Sequence, residues 1–327
     1  MSDNRIEFEY TGQLAGLIAD FILHKRALGF KYSTEARLLR IFSEFSAGYD
    51  LSECKLPKDL VSDWSERRLN EKVGTNENRI SVLRQFALYL EERGYRVCMP
   101  VIPRNIDQFS FTPYIFSHGE LSAIFETSDR LKIRKHPFSN MQKVFPVIIR
   151  MLYGCGLRIS EAINLRVADL DLNEGILTIK DSKFGKHRLV PMSDSLTLIC
   201  RDYFMQARPC SCREDYFFSQ KDGSPMTRDS VYRRFRDVLW KSGISHGGKG
   251  KGPRLHDLRH SFAVHSLKMQ ADNGIDLYCS LPVLSAYLGH NSVEATEKYI
   301  RLTEEMYPEL VKRVSAACAH VIPEVKI

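Results

Sequence analysis

Apolar residues at helical spacing dominate the first hundred positions of the chain. Leu14, Leu17, Ile18, Phe21 and Ile22 fall on one face of a helix that Gly29 stops. Ser33 or Thr34 opens a second helix, with Leu38, Leu39, Ile41, Phe42 and Phe45 as its apolar side. Pro57 marks the start of a third, carrying Leu60, Val61 and Trp64. A fourth runs from about Asn76 to Arg93 through Ile80, Leu83, Phe86, Leu88 and Leu90, and ends at Gly94. The spacing therefore predicts a four-helix module over residues 1–97. Pro100, Pro103 and Pro113 then break the pattern in a mostly polar stretch, and residues 98–115 are predicted as a linker.

A second unit is expected over residues 116–327. Helices are predicted near 117–128 and 139–154. Gly154 and Gly156 end the latter, which puts Arg158 after a tight turn at the start of the next helix. A helix start offers unpaired backbone N–H groups and the positive end of the helix dipole, both suited to an anion. Leu177 and Ile179 alternate with Thr178 and Lys180, and Arg188, Val190 and Met192 alternate with Leu189. With Asp181–His187 between them and Gly185 in the turn, these two runs predict a β-hairpin. Helices follow at about 193–207, 229–242, 256–269, 281–288, 293–302 and 304–318. The fold class is mainly α with a small β element, in two domains, without internal repeats or low-complexity segments.

Charge and cysteine content narrow the setting. The 327 residues carry a net charge of +7, and its distribution says more than its size. Arg130, Lys132, Arg134, Lys135, Lys143 and Arg150 form one basic stretch opposed only by Asp129, and Lys249, Lys251 and Arg254 form another ahead of His256. Any single run of this kind is ordinarily solvated surface, but two runs flanking arginine-bearing motifs suggest a channel for a polyanion. The eight cysteines show no CxxC pair and no zinc-ligand spacing, and Cys155 and Cys200 lie in apolar surroundings. With no signal peptide and no apolar run of about 18 residues, a reduced cytoplasm is the expected compartment and a membrane is not an expected partner.

Three short motifs carry the chemistry: Gly156-Leu157-Arg158-Ile159-Ser160-Glu161, then His256-Asp257-Leu258-Arg259-His260, then Leu288-Gly289-His290 with Tyr299 nine residues further on. Singly, each has an ordinary explanation. An arginine at a helix start is usually a surface or ion-pair residue, a tyrosine in an amphipathic helix usually packs its ring, and a hairpin lysine is usually exposed. His256 and Arg259, three residues apart, project from one side of a helix. Together the motifs supply what is needed to hold a phosphodiester between two guanidiniums while a phenol attacks it.

In their order and spacing these motifs, with the basic hairpin, resemble the tyrosine recombinase (phage integrase) family, in its Xer-like or transposon-borne form. The resemblance implies a site-specific DNA recombinase that works through a 3′-phosphotyrosyl intermediate and a Holliday junction, with no cofactor and no metal. It implies Tyr299 as nucleophile, and Arg158 and Arg259 as the pair that clamps the non-bridging oxygens. Lys183 matches the lysine that protonates the leaving 5′-oxygen. His256 matches a histidine engaged in acid–base work, and His290 one that hydrogen-bonds the phosphate. Glu161 takes a supporting, orienting part. The hairpin reads Ser182-Lys183-Phe184-Gly185-Lys186-His187-Arg188 where the family has roughly Gly-Lys-Gly-x-Lys-x-Arg, so Lys186 stands as an alternative to Lys183. The stretch from Gln270 to Leu281 looks longer than in compact members. Arg134, Lys135, Lys249, Lys251 and Arg254 are the expected DNA-contacting cations.

The resemblance further implies a SAM-like core-binding domain over 1–97, a linker over 98–115, and a catalytic domain over 116–327, closing as a C-shaped clamp on duplex DNA. A C-terminal helix and apolar tail would dock on a neighbouring subunit. Expected partners are double-stranded recombination sites, further copies of the chain in a tetramer on synapsed DNA (a monomer when free), and a directionality factor or partner recombinase. The expected location is the cytoplasm, at the nucleoid. Two rival readings are a type IB topoisomerase, which relaxes supercoils without paired sites, and a non-enzymatic DNA-binding protein descended from a recombinase.

Overall fold

The computed structural model of the protein describes residues 8–102, 112–131, 140–180, 187–207, 211–248, 252–290, 292 and 294–307. The chain divides into two compact units, Met1–Phe111 and Thr112–Ile327. Among the described residues no helix is long and apolar enough to cross a membrane.

The first unit is built on α1 (Ala15–Ala27), α2 (Ser33–Phe45), α3 (Lys58–Ser65) and α4 (Val73–Glu91). Their apolar faces meet in one core that includes Leu14, Phe21, Leu39, Phe42, Trp64, Leu83 and Phe86. Two details depart from the pattern read in the sequence. Helix α4 begins three residues before Asn76, and Leu88 is exposed while Tyr89 faces the core. The early start of α4 is tied to a buried cation. Arg79 reaches back from α4 to pair with Glu71 at 2.8 Å, donates to the carbonyls of Trp64 and Glu66, and stacks on the Trp64 ring. Its fork thus satisfies the C-terminal end of α3 and pins the connection between the two helices.

The second unit contains α5 (His118–Asp129), α6 (Met141–Gly154), α7 (Ile159–Ile163), β1 (Leu170–Asp171), β2 (Ile176–Ile179), β3 (Arg188–Pro191), α8 (Asp194–Ala207), α9 (Arg228–Lys241), α10 (Leu255–Asp272), α11 (Leu277–Leu288) and α12 (Glu294–Met306). Strands β2 and β3 pair antiparallel, with Leu177 opposite Val190 and Ile179 opposite Arg188, and Leu177, Ile179 and Val190 point into the core as the alternation requires. The short strand β1 adds to β2 on its other side. It has too few residues to show a period of two, which is why the sequence pattern does not reveal it.

Helix α10 is the axis of this unit. Leu255 and Leu258, near its start, belong to a core shared with α5, α6, α8, α9 and the sheet. Ala263, Val264 and Leu267 belong to a second core with α11 and α12. A helix buried on most sides must house its polar groups internally. Ser261 does so by donating to the carbonyl of Asp257 and accepting from the backbone N–H of Phe116. The segment from Gln270 to Leu281 resolves into the last turn of α10, a turn at Asn273–Gly274, and the first turn of α11. Helix α11 starts at Leu277 rather than near 281 because the Asp276 carboxylate caps it, accepting from the N–H of Tyr278 at 2.7 Å. Predicted helices at 293–302 and 304–318 are one helix as far as Met306, with Thr303 buried and donating to the Tyr299 carbonyl. The predicted C-terminal docking segment beyond Tyr307 lies outside the described residues.

Gly156 shows how tightly the second unit is packed around its turn. It adopts φ +57°, and a Cβ there would lie 2.7 Å from the Phe262 ring and 2.8 Å from Leu288. Gly156→Ala is therefore expected to destabilise the protein by roughly 2–4 kcal/mol, from left-handed strain plus overpacking. A urea titration of the two proteins checks this. A midpoint equal to that of the wild type would contradict it.

Candidate active site

The site is assembled on the C-terminal end of α11. Gly289 ends the helix at φ +67°, with its N–H on the Ala286 carbonyl and the His290 N–H on the Ser285 carbonyl. This closure is the Schellman arrangement, which glycine makes at little cost. It leaves the next three carbonyls facing away from the helix, and each receives an arginine. Arg188 Nε donates to the Tyr287 oxygen at 2.9 Å, Arg259 to the Leu288 oxygen at 2.7 Å, and Arg158 to the Gly289 oxygen at 3.2 Å. Cations at a helix C-terminus also meet the negative end of its dipole. Arg259 has a second anchor on the Gly156 carbonyl at 2.6 Å.

Glu161 fixes the other side of this group. Its carboxylate accepts from the Arg158 guanidinium at 2.7 Å, from the Arg158 backbone N–H at 2.9 Å, and from both terminal nitrogens of Arg188 at 3.0 and 2.8 Å. Burial alone would raise the Glu161 pKa, but the hydrogen bonds from Arg188 and Arg158 outweigh it and hold the value at about 2. The N–H at the start of α7 is thus occupied by Glu161, and Arg158 acts through its guanidinium. Among the described residues Glu161 pairs with Arg158 and Arg188, while Arg259 is held by carbonyl oxygens. The net positive charge that remains would suit an anion.

Tyr299 lies beside this cluster on α12, only 1% exposed. Its hydroxyl is 2.8 Å from Nδ1 of His260, and the His290 ring stacks parallel to its own, with centroids 6.2 Å apart. Burial raises the Tyr299 pKa to about 12, against the opposing pull of Arg259 and Arg158. The phenol is therefore protonated at neutral pH. His290 is held by a 2.7 Å contact between its Nδ1 and the Thr296 hydroxyl. His256 stands on the exposed side, edge-on to His260 with centroids 4.7 Å apart. Desolvation by the surrounding protein, then the charges of Arg259, Arg158 and Lys298, lower His256 to about 4. Burial first, then neighbouring positive charge, also lowers His260 to about 2 and His290 to about 3.

Of the residues expected from the sequence, Arg158, Glu161, His256, Arg259, His290 and Tyr299 come together in this one region. Lys183 and Lys186 lie outside the described residues, as do Arg134, Lys135, Lys249 and Lys251. Arg254 precedes α10, with its backbone N–H on the Asp257 carboxylate at 2.7 Å and its guanidinium 3.5 Å from the same group. The basic stretch after α5 is less free than its sequence suggests. Arg150 makes a bidentate pair with Asp129 at 2.8 and 2.7 Å, and Arg130 pairs with Glu126. Cys155 and Cys200 are buried core residues. No group of three or more metal-ligating side chains occurs among the described residues.

Three residues at the site were not singled out from the sequence. Arg188 closes the hairpin motif, where its place in the alternation marks a strand position and no site role. His260 stands next to Arg259, and a residue adjacent to a motif arginine gives no sign of which way it points. Lys298 lies 5.2 Å from the centre of the Tyr299 ring, and burial and then Arg259 lower its pKa.

The depressed histidines set a pH dependence. Their folded pKa values lie below the ordinary value of about 6.5. The unfolded chain therefore takes up protons first on acidification, and stability is full above that value and drains as pH falls towards the folded values. For the buried pair His260 and His265, the latter lowered to about 4 by burial and His118, the loss at pH 5 is roughly 2 kcal/mol each. A melting temperature that drops between pH 7.5 and 5 is the expected result. One that stays level or rises would contradict it.

The model of the phage integrase family matches residues 115–306. A putative integrase/recombinase of Sinorhizobium fredii is 29% identical over 91% of this chain and 95% of its own length. The tyrosine recombinase XerA of Pyrococcus furiosus is 29% identical over 69% of this chain and 68% of its own. Among solved structures, the Tn1549 transposon integrase in complex with transposon right end DNA superposes with a TM-score of 0.64 at 16% identity, covering 90% of this chain and 98% of that one. The XerH site-specific recombinase in a post-cleavage complex gives 0.62 at 20% identity, covering 88% and 78%. At these identities the two superpositions establish the fold. The family match spans more than half of the chain and includes Arg158, His256, Arg259, His290 and Tyr299. The chain belongs to the phage integrase family, the tyrosine recombinases, enzymes that cleave and rejoin DNA strands.

Proposed function

We propose that this protein is a site-specific recombinase in which Arg158 and Arg259 hold the scissile phosphodiester and Tyr299 attacks it. The observation that carries this reading is the fixed pair of guanidiniums on the end of α11, next to a buried phenol. Charge builds on the non-bridging oxygens during attack, and cations already locked in place stabilise it without reorganising. Arg158 and Arg259 retain N–H groups beyond those given to backbone carbonyls, since a guanidinium has five. His290 and His256 add hydrogen-bond donors to the phosphate. The Tyr299 oxygen forms a bond to phosphorus, and the bond from phosphorus to the 5′-oxygen breaks. Lys183, with Lys186 as the alternative, gives that oxygen its proton. The 3′-phosphotyrosyl bond retains the energy of the phosphodiester, so a 5′-hydroxyl from another strand reverses the step without ATP.

In this reading the first unit is the core-binding domain of a clamp around duplex DNA. Exchange proceeds through a Holliday junction in a homo-tetramer on paired sites, at the nucleoid, with a directionality factor or partner recombinase setting the outcome. The test is a nicked suicide duplex drawn from the DNA flanking the gene. Wild type is expected to form a denaturant-resistant, protease-sensitive adduct. Tyr299→Phe should form none while binding the duplex as well as wild type, and Arg158→Ala should slow adduct formation by about 10²-fold or more. Tight binding with no adduct from wild type would overturn the reading in favour of a DNA-binding protein.

A further inference from the structure

Among the described residues, the hydrogen bond of the Tyr299 hydroxyl is to Nδ1 of His260, at 2.8 Å. Arg259 also acts on the phenol, lowering its pKa against the effect of burial. A neutral phenol has a proton to donate, and an imidazole nitrogen without a proton accepts it. The contact is between two buried side chains, His260 at 5% and Tyr299 at 1% exposure, on helices α10 and α12 that pack in a common core. For Nδ1 to accept, the ring must be neutral, with its proton on Nε2, and burial together with His256, Lys298 and the arginines favours that state. His256 makes no hydrogen bond to Tyr299 among the described residues. It stands instead between His260 and solvent, edge-on to the His260 ring.

We infer that His260 is a catalytic residue, the group that takes the phenolic proton of Tyr299 as the phosphotyrosyl bond forms. This rests on Tyr299 being the nucleophile. The proton passes from the Tyr299 oxygen to His260 Nδ1 while that oxygen bonds to phosphorus. The 5′-oxygen leaves with a proton from the lysine general acid, and on rejoining both transfers run backwards. Burial and then positive charge oppose an imidazolium at His260, and the bound phosphodiester offsets the second of these by placing a negative charge between Arg158 and Arg259. The exposed His256 gives the transferred proton a route to solvent.

The experiment compares wild type, His260→Asn and Tyr299→Phe in single-turnover cleavage of the suicide duplex across pH 6–10. The asparagine oxygen can still accept from the phenol but cannot take its proton. His260→Asn is expected to bind DNA like wild type and to cleave about 10²-fold or more slowly at pH 7. Its rate should climb with pH where that of wild type is level, because hydroxide must then ionise a phenol whose pKa burial has raised. A duplex whose leaving 5′-oxygen is replaced by sulfur needs no general acid, and it is expected not to restore the variant. Cleavage by His260→Asn within about threefold of wild type, a parallel pH profile, or full rescue by sulfur would each overturn the inference. If His260→Asn loses its melting transition, His260→Gln serves the same comparison. No adduct from wild type would sink both this inference and the reading beneath it. A wild-type adduct with an unimpaired variant would sink this inference alone.

Discussion

Everything at the site depends on the exposed carbonyls that end helix α11. A helix cannot satisfy its last carbonyl groups internally, and here Tyr287, Leu288 and Gly289 present three in succession. Each holds an arginine from a different part of the chain: Arg188 from strand β3, Arg259 from α10 and Arg158 from the turn before α7. Hydrogen bonds from charged donors contribute about 1.5–3 kcal/mol apiece. The helix end therefore draws three distant segments together and orients their guanidiniums in the same step. Gly289 makes this possible. Its left-handed conformation turns the chain aside, and a Cβ there would lie 2.9 Å from the Arg188 guanidinium.

The charge of this cluster is only partly balanced. Glu161 compensates two arginines at once, and removing one partner of such a buried set costs about 3–5 kcal/mol. Among the described residues Arg259 pairs with no carboxylate and is held by the Gly156 and Leu288 carbonyl oxygens. Burial, and then the same uncompensated charge, keep His256, His260 and His290 neutral, and for the Tyr299 phenol the two act in opposite directions. On the proposed function, a phosphodiester held by these arginines would offset the repulsion among them and oppose the part of the histidine shifts that is due to positive charge.

Much of this was legible in the sequence where a single period or a single turn decides the structure. The four helices of the first unit, the alternation of Leu177, Ile179 and Val190, and the breaks at Gly154 and Gly156 all follow from local rules. What escaped local reading is tertiary. Helix α11 starts early because Asp276 caps it, and α4 starts early where Arg79 ties its first turns to the end of α3. At the site, family motifs marked Arg158, His256, Arg259, His290 and Tyr299, but motif spacing cannot show which imidazole meets the phenol. On a helix, His256 and His260 are four residues apart and share a face. Only the position of α12 distinguishes the one that Tyr299 touches from the one that reaches solvent. Basic runs were the weakest guide, since Arg130 and Arg150 are paired with nearby carboxylates.

The most direct test of the account is to identify the residue and the DNA end joined in the covalent adduct. Mass spectrometry of the protease-digested adduct should find the nucleotide on the peptide that carries Tyr299, attached through the 3′-phosphate, with a free 5′-hydroxyl on the released strand. A nucleotide on any other side chain, or a linkage through a 5′-phosphate, would contradict the assignment of Tyr299 as the nucleophile between Arg158 and Arg259.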